Sequence, residues 1–254
     1  MSDVIVTIQE DFDLPSKGMI YDKPVNSRIK LRSMNAQDEM LRRTPSADEF
    51  RVKADVVERC IEGDKPAIPV YDMYIGDYYY LLNALRLVTF GSKLSYTARC
   101  LVCGDIFDTV INIDDIPVNE WNDDMRDRFT VKLPNSGKEI GLNYQTPRML
   151  DDIARRVRQL KQQNSELPEE AEEEAQKIIF SIKTIDGRRP NPAEVEMLVK
   201  KMNMMDYNYL SQKIDLLNES VGPQKVIQLE CTHCHNQTLA LFRYSSQFFR
   251  PAVD

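Results

Sequence analysis

Two short cysteine pairs constrain this chain more than anything else in it. Cys100-Leu101-Val102-Cys103 and Cys231-Thr232-His233-Cys234 are both C-x-x-C knuckles, with Gly104 and Asn236 in the residues just after them. Each follows residues of strand character and precedes an alternating run: Phe107, Thr109, Ile111 and Ile113 after the first, Leu239, Leu241 and Arg243 after the second. Two strand-knuckle-strand units make a zinc ribbon. Four thiolates complete a tetrahedral shell around Zn²⁺ and leave no position open for water, so the metal is expected to be structural. The expected ligands are Cys100, Cys103, Cys231 and Cys234.

The separation of the pairs sets the domain organisation. A ribbon of this kind usually has about 15 to 20 residues between its knuckles, whereas 127 lie between Cys103 and Cys231. That length reads as a domain inserted into the ribbon, with the metal holding its ends together. Closing so long a loop costs only a few kcal/mol of entropy, against roughly 10 kcal/mol or more from a structural zinc site. The expected fold class is α+β, mainly helical, with split zinc-ribbon-like Cys₄ knuckles enclosing an inserted β-hairpin plus helical cluster. Residues 1–34 form an extended arm with short strands, 35–95 a helical segment, and 96–116 with 224–245 the two ribbon halves. Residues 117–223 form the inserted hairpin and four-helix domain, and 246–254 a C-terminal tail.

Other readings of the cysteines carry less weight. Cys231 to His235 matches the C-x-x-C-H haem attachment pattern, but haem attachment implies export, and Met1-Ser2-Asp3 opens no signal peptide. Neither knuckle sits between a buried strand and a helix, as a thioredoxin-like redox pair would, and two disulfides would need an oxidising compartment. His233 and His235 are polar knuckle residues, either of which could stand in for a cysteine ligand. Cys60 is expected to be a small buried residue on a helix.

The N-terminal part reads as a strand at Val4, Val6 and Ile8, then an irregular arm from Phe12 to Tyr21 punctuated by Pro15 and Gly18, then a strand at Ile29 and Leu31. Leu14 and Tyr21 are the arm's apolar anchors. They are expected either to dock on a partner or to pack along the chain's own domain. Asn35 caps a helix from Ala36 to Arg43, and Ser46-Ala47-Asp48-Glu49 is a capping box for a helix whose stripe is Phe50, Ala54, Val57 and Ile61. The most apolar helix runs from Asp72 to Thr89. Its crowded Tyr74, Tyr78, Tyr79 and Tyr80 serve as core with one wet edge or as a partner surface, with Tyr74 and Tyr79 the expected contacts. Asp77 and Arg86 on it are expected in structural ion pairs.

Beyond the first knuckle, Val131 and Leu133 pair across Pro134-Asn135-Ser136-Gly137 with Ile140 and Leu142 as a hairpin. Thr146-Pro147 opens a helix, and Pro168 opens another whose Ile178, Ile179, Ile182 and Ile185 pack inward. Asn191-Pro192 caps a third, and Asp206 starts a fourth with Leu210, Ile214 and Leu217 inside.

Composition narrows the function classes. With 42% hydrophobic and 8% aromatic residues in 254, the chain can bury a real core, and no apolar run approaches the roughly 18 residues of a membrane span. A net charge of −7 argues against a nucleic-acid binder, because phosphate binding is driven by Lys and Arg. G-x-G-x-x-G, G-x-S-x-G and H-E-x-x-H motifs are all missing, and both histidines lie in the second knuckle. The alternatives are a zinc-ribbon nucleic-acid-binding protein, which needs a basic stripe, and a carboxylate-based hydrolase, which needs a pocket with a raised-pKa acid.

Several features occur in a telling order: Leu14-Pro15-Ser16-Lys17-Gly18 with Tyr21, then Ile29, Asp38-Glu39, the Leu81-Leu82 helix with Arg86 and Gly91, and the two cysteine pairs separated by four helices. This order resembles the baseplate hub proteins of T-even-type bacteriophages and their relatives in contractile-tailed phages, over essentially the whole chain. The resemblance implies a non-enzymatic structural or assembly role in the tail baseplate, either as hub component or as hub assembly factor. It implies other baseplate or hub proteins, or a second copy of the chain, as partners. It also implies a location in the cytoplasm of an infected bacterium or in the virion tail baseplate, while charge and hydropathy lead to the expectation of no nucleic acid bound and no membrane span.

Overall fold

The computed structural model describes residues 8–23 and 25–252. Val4 and Val6 of the first expected strand lie outside them, and Ile8 is exposed just ahead of the strand that forms, β1 (Gln9–Asp13). β1 pairs antiparallel with β2 (Arg28–Arg32), Phe12 facing Ile29. In β2, Ile29 and Leu31 are interior and alternate with exposed Arg28 and Lys30, the signature of a strand with one wet face.

Helix α1 (Ala36–Arg42) starts as the sequence implies, with a reciprocal box between Asn35 and Asp38. Helix α2 (Glu49–Cys60) does not. Its N-cap, Asp48, makes no side-chain cap bond, and Ser46 Oγ accepts the Asp48 N–H in a local turn. The Phe50 and Arg51 N–H groups donate instead to Asp151, 101 and 100 residues away, at 3.2 and 2.9 Å. A helix N-terminus attracts any carboxylate in reach, and tertiary packing supplied a distant one. Ile61, expected on the helix stripe, belongs to β3 (Ile61–Glu62) and pairs with Leu31. Cys60 ends α2 fully buried, and burial pushes its thiol up to about 12.

Helix α3 (Ile75–Phe90) runs through the first hydrophobic core, with Tyr78, Leu81, Leu82 and Leu85 all inaccessible. Hairpins β4 (Lys93–Arg99)/β5 (Ile106–Asn112) and β11 (Val226–Glu230)/β12 (Gln237–Leu241) carry the two knuckles and bury Leu94, Phe107, Ile227 and Leu229 in that same core. The C-terminal residues join it too. Phe248 and Phe249 are interior, so these two residues anchor the expected C-terminal tail in the core.

Between the hairpins, β6 (Val118–Asn119) pairs with β10 (Gly222–Pro223), and the Gln224 N–H donates to Pro117 O at 2.9 Å. The entry and exit of the intervening region are thereby tied together. Inside it lie β7 (Thr130–Lys132), β8 (Glu139–Leu142), α4 (Pro147–Gln163), α5 (Glu169–Ser181), β9 (Ile182–Ile185), α6 (Pro192–Lys201) and α7 (Met204–Glu219). A second core, from Val131 to Leu217 in sequence, is drawn from this region alone. The hairpin becomes a three-stranded sheet because Ile182 and Ile185 leave the helix and pair with Leu142 and Ile140. The isoleucine spacing suits a helix, but β-branched residues beside an open strand edge gain more by extending the sheet. Helix and strand account for 44% and 21% of the described residues, an α+β fold in which helix predominates.

Among the described residues five charged side chains are buried, and each makes at least one bond to backbone. Asp77 accepts from Ser16 N at 3.0 Å, Ser16 Oγ at 2.5 Å and Tyr21 Oη at 2.6 Å. Asp206 accepts from Asn135 N and Ser136 N in the β7–β8 turn. Arg86 donates to the carbonyls of Phe248, Arg250 and Lys93, locking the C-terminal segment onto α3. The ion pairs expected of Asp77 and Arg86 do not form among the described residues, since one N–H and two hydroxyls occupy Asp77 and three carbonyls occupy Arg86.

Asp38 is different, because it also meets cations: Arg32 at 2.6 Å and Arg59 at 3.1 Å. Burial alone would raise its pKa, but bonds from Arg32, the Asn35 N–H and Arg59 outweigh it and hold Asp38 at about 2. A depressed folded pKa stabilises above the unfolded value of about 3.9 and is lost as pH falls through about 2. Asp38→Asn should therefore cost about 2–3 kcal/mol at neutral pH, a cost that fades as pH falls through about 2. Urea unfolding across that range measures the difference.

Candidate metal centre

The knuckles are near-copies of one another in backbone bonding. The Gly104 N–H donates to Cys100 O at 3.0 Å, and the His235 N–H donates to Cys231 O at 2.9 Å. The Cys100 N–H closes on Asp105 O at 2.8 Å, and the Cys231 N–H closes on Asn236 O at 3.0 Å. Both loops need a left-handed residue directly after the second cysteine, supplied by Gly104 at φ 82° and His235 at φ 56°.

These turns aim four sulfurs at one point. The Sγ atoms of Cys100, Cys103, Cys231 and Cys234 lie within 4.8 Å of one another. Cys100 Sγ is 3.7 Å from Cys234 Sγ, and Cys103 Sγ is 3.8 Å from Cys231 Sγ. No sulfur is in a disulfide. Metal–sulfur bonds of about 2.3 Å in a tetrahedron put sulfurs about 3.8 Å apart, which the two closest contacts match, so the four lie close enough to hold one metal ion. Tetrahedral S₄ sites hold zinc or iron. Four protein donors fill the coordination sphere and leave none for a substrate.

The electrostatics suit a cation. The Cys103 N–H lowers the Cys100 thiol to about 6, and the Asn236 N–H lowers that of Cys234. The Asp105 N–H favours the Cys103 thiolate as well, but burial and the facing sulfurs push that thiol up to about 12. Four thiolates this close cannot all be charged without a positive ion among them. Cys100 and Cys231 are buried, Cys234 is half-buried and Cys103 is exposed, so one vertex of the cluster faces solvent.

Neither histidine belongs to the four-residue cluster. His235 Nδ1 lies 3.3 Å from Glu230 on the surface. Since a non-glycine residue in the left-handed region costs roughly 1 kcal/mol, His235→Gly should raise stability by up to about that amount with metal content unchanged. Loss of metal from this variant would make His235 a ligand. One contact between the knuckles has no sequence signal. Thr238 is buried, and its Oγ1 accepts the Leu101 N–H at 3.0 Å, linking the two loops. Its hydroxyl looks like any polar residue in an alternating strand.

The four residues expected at partner contacts lie mostly inside. Leu14, Tyr21 and Tyr74 are 1%, 7% and 0% exposed, which leaves no face for a second protein in this conformation. Tyr21 donates to Asp77 and accepts the Tyr74 N–H, while Tyr74 donates to Leu217 O. Tyr79 is half-buried and stacks on Tyr244 with ring centres 4.6 Å apart.

With this geometry in hand, the family described as T4 bacteriophage base plate protein matches residues 6–250, nearly the whole chain. The chain belongs to that family. No curated protein and no solved structure gives a significant match. Membership makes it a base plate protein of T4 type, which implies a structural part in the phage tail and contact with other phage proteins. Among the described residues, no helix of this base plate protein is long and apolar enough to cross a membrane.

Proposed function

We propose that this base plate protein is a zinc-stapled structural or assembly protein of the tail hub, acting by contact with other hub proteins and without catalysis. One observation carries the staple: four sulfurs from two hairpins 127 residues apart meet within 4.8 Å of one another, two of the distances between them at the edge length of a tetrahedral thiolate site. A closed shell of this kind contributes folding energy and no reactive position. Residues 117–223 are then a domain inserted into a split ribbon, a reading supported by the β6–β10 ladder at its base and by its separate core. Leu14, Tyr21 and Tyr74 serve partner contacts indirectly, by fixing the Lys17–Tyr21 segment from beneath.

Elemental analysis of the purified protein should find one zinc per chain; protein that folds with no metal overturns the staple. Mass spectrometry of purified particles against infected-cell lysate tests the hub role. Retention in particles marks a component, and presence in lysate alone marks an assembly factor. Complete base plates made without the protein would overturn both.

A further inference from the structure

The Lys17–Tyr21 segment, whose anchors turn inward, forms one wall of a groove of about 830 Å³. That is within the ~300–1,000 Å³ range of ligand pockets. Its floor is the outer face of the β7–β8–β9 sheet, where Thr130, Gly141 and Thr184 stand side by side. The middle position has to be small, because a Cβ on Gly141 would come within 2.2 Å of Thr184 Oγ1. The wall is rigid. Ser16 is clamped by Asp77, Lys17 donates its N–H to Leu14 O, and the Tyr21 ring meets Tyr144 edge-on at 5.8 Å. A recess held in shape this way loses little entropy when filled.

Cations outnumber acids in its lining, the reverse of the molecule as a whole. The lining carries Lys17, Arg126 and Lys183 against the single acid Asp22, on a protein of net charge −7. Each cation has an acidic neighbour: Glu120 at 2.7 Å from Lys17, Asp22 at 3.6 Å from Lys183 and Asp123 at 3.8 Å from Arg126. All six side chains are at least half exposed, so these pairs are weak and exchange readily for an incoming carboxylate. Trp121 also lines the groove. It is 8% exposed, and its indole N–H finds no acceptor among the described residues, although its backbone N–H is held by Pro15 O. Its nitrogen is sealed from solvent, so Trp121 offers the groove its apolar ring.

We infer that the groove binds an acidic extended segment of another base plate protein, its carboxylates on Lys17, Arg126 and Lys183 and its apolar side chains beside Trp121 and Tyr144. This deepens the interaction reading by naming the chemistry of one partner. The test reads binding in solution, so the zinc and hub assignments can fail without it, and it without them. Trp121 is the sole tryptophan and reports from the groove itself. Titration of the intact protein with a blocked Glu-Leu-Glu-Leu-Glu-Leu peptide should change its fluorescence saturably, more weakly at higher salt. The Gln-Leu counterpart should bind at least tenfold more weakly. Lys17→Glu with Lys183→Glu, both on exposed side chains, should weaken the glutamate peptide tenfold or more while zinc content and melting temperature stay unchanged. Equal binding of the two peptides, or no saturable change, overturns the inference. So does concentration-dependent self-association that the double variant abolishes, because the occupant is then a second copy of this chain.

Discussion

Cys231→Ser should release the metal and unfold both knuckle hairpins. Structural zinc sites supply roughly 10–16 kcal/mol at neutral pH, comparable to or larger than the ~5–15 kcal/mol net stability of a typical domain. One hydroxyl in place of a thiolate therefore decides whether the ribbon exists. The damage should be graded along the chain. β4, β5, β11 and β12 share the first core with α3 and should lose hydrogen-exchange protection. β7 to β9 and α5 to α7 have their own core and should retain theirs. A strong chelator on the unmodified protein should give the same pattern, as should acid, because thiolates must be deprotonated to hold the ion. A Cys231→Ser protein with full zinc content and an unchanged melting curve would refute the staple.

Asp77→Ala should cost at least about 3 kcal/mol, since it strands three buried donors, Ser16 N, Ser16 Oγ and Tyr21 Oη, at roughly 1–3 kcal/mol for each left unsatisfied. The loss should appear in urea unfolding and as new proteolytic cleavage between Lys17 and Lys23, where the groove wall has lost its support. The pH dependence separates charge from shape. Burial raises the Asp77 pKa, and the bonds from Ser16 and Tyr21 only partly oppose it. A raised folded pKa gives stability that is complete below the unfolded value of about 3.9 and is lost as pH rises through the folded one. Asp77→Asn cannot ionise. Its deficit relative to the parent should shrink as pH rises from about 4; a deficit that grows would show that Asp77 is a stabilising carboxylate throughout.

The parts legible in the sequence are those whose physics is local. A C-x-x-C knuckle positions two sulfurs within four residues, so the four cysteines that come together could be named without the fold, and their clustering follows from two such loops meeting. Asn35, Thr146 and Asn191 cap α1, α4 and α6 because a cap acts over three residues. The base plate resemblance could be read for a related reason, since it rests on the order of such short features along nearly the whole chain. What the tertiary structure alone decided are contacts across large separations. Nothing near Phe50 shows that Asp151 will cap α2, or that Ile182 and Ile185 will leave a helix-compatible pattern for the open edge of β8. Leu14 and Tyr21 were legible as apolar anchors, but the side they turn to depends on Asp77, 56 residues beyond Tyr21, being buried where it can accept their segment's donors. A buried charge must find polar partners wherever packing leaves them, and that requirement, invisible to any window of sequence, turned the arm inward and left its outer surface as one wall of the groove.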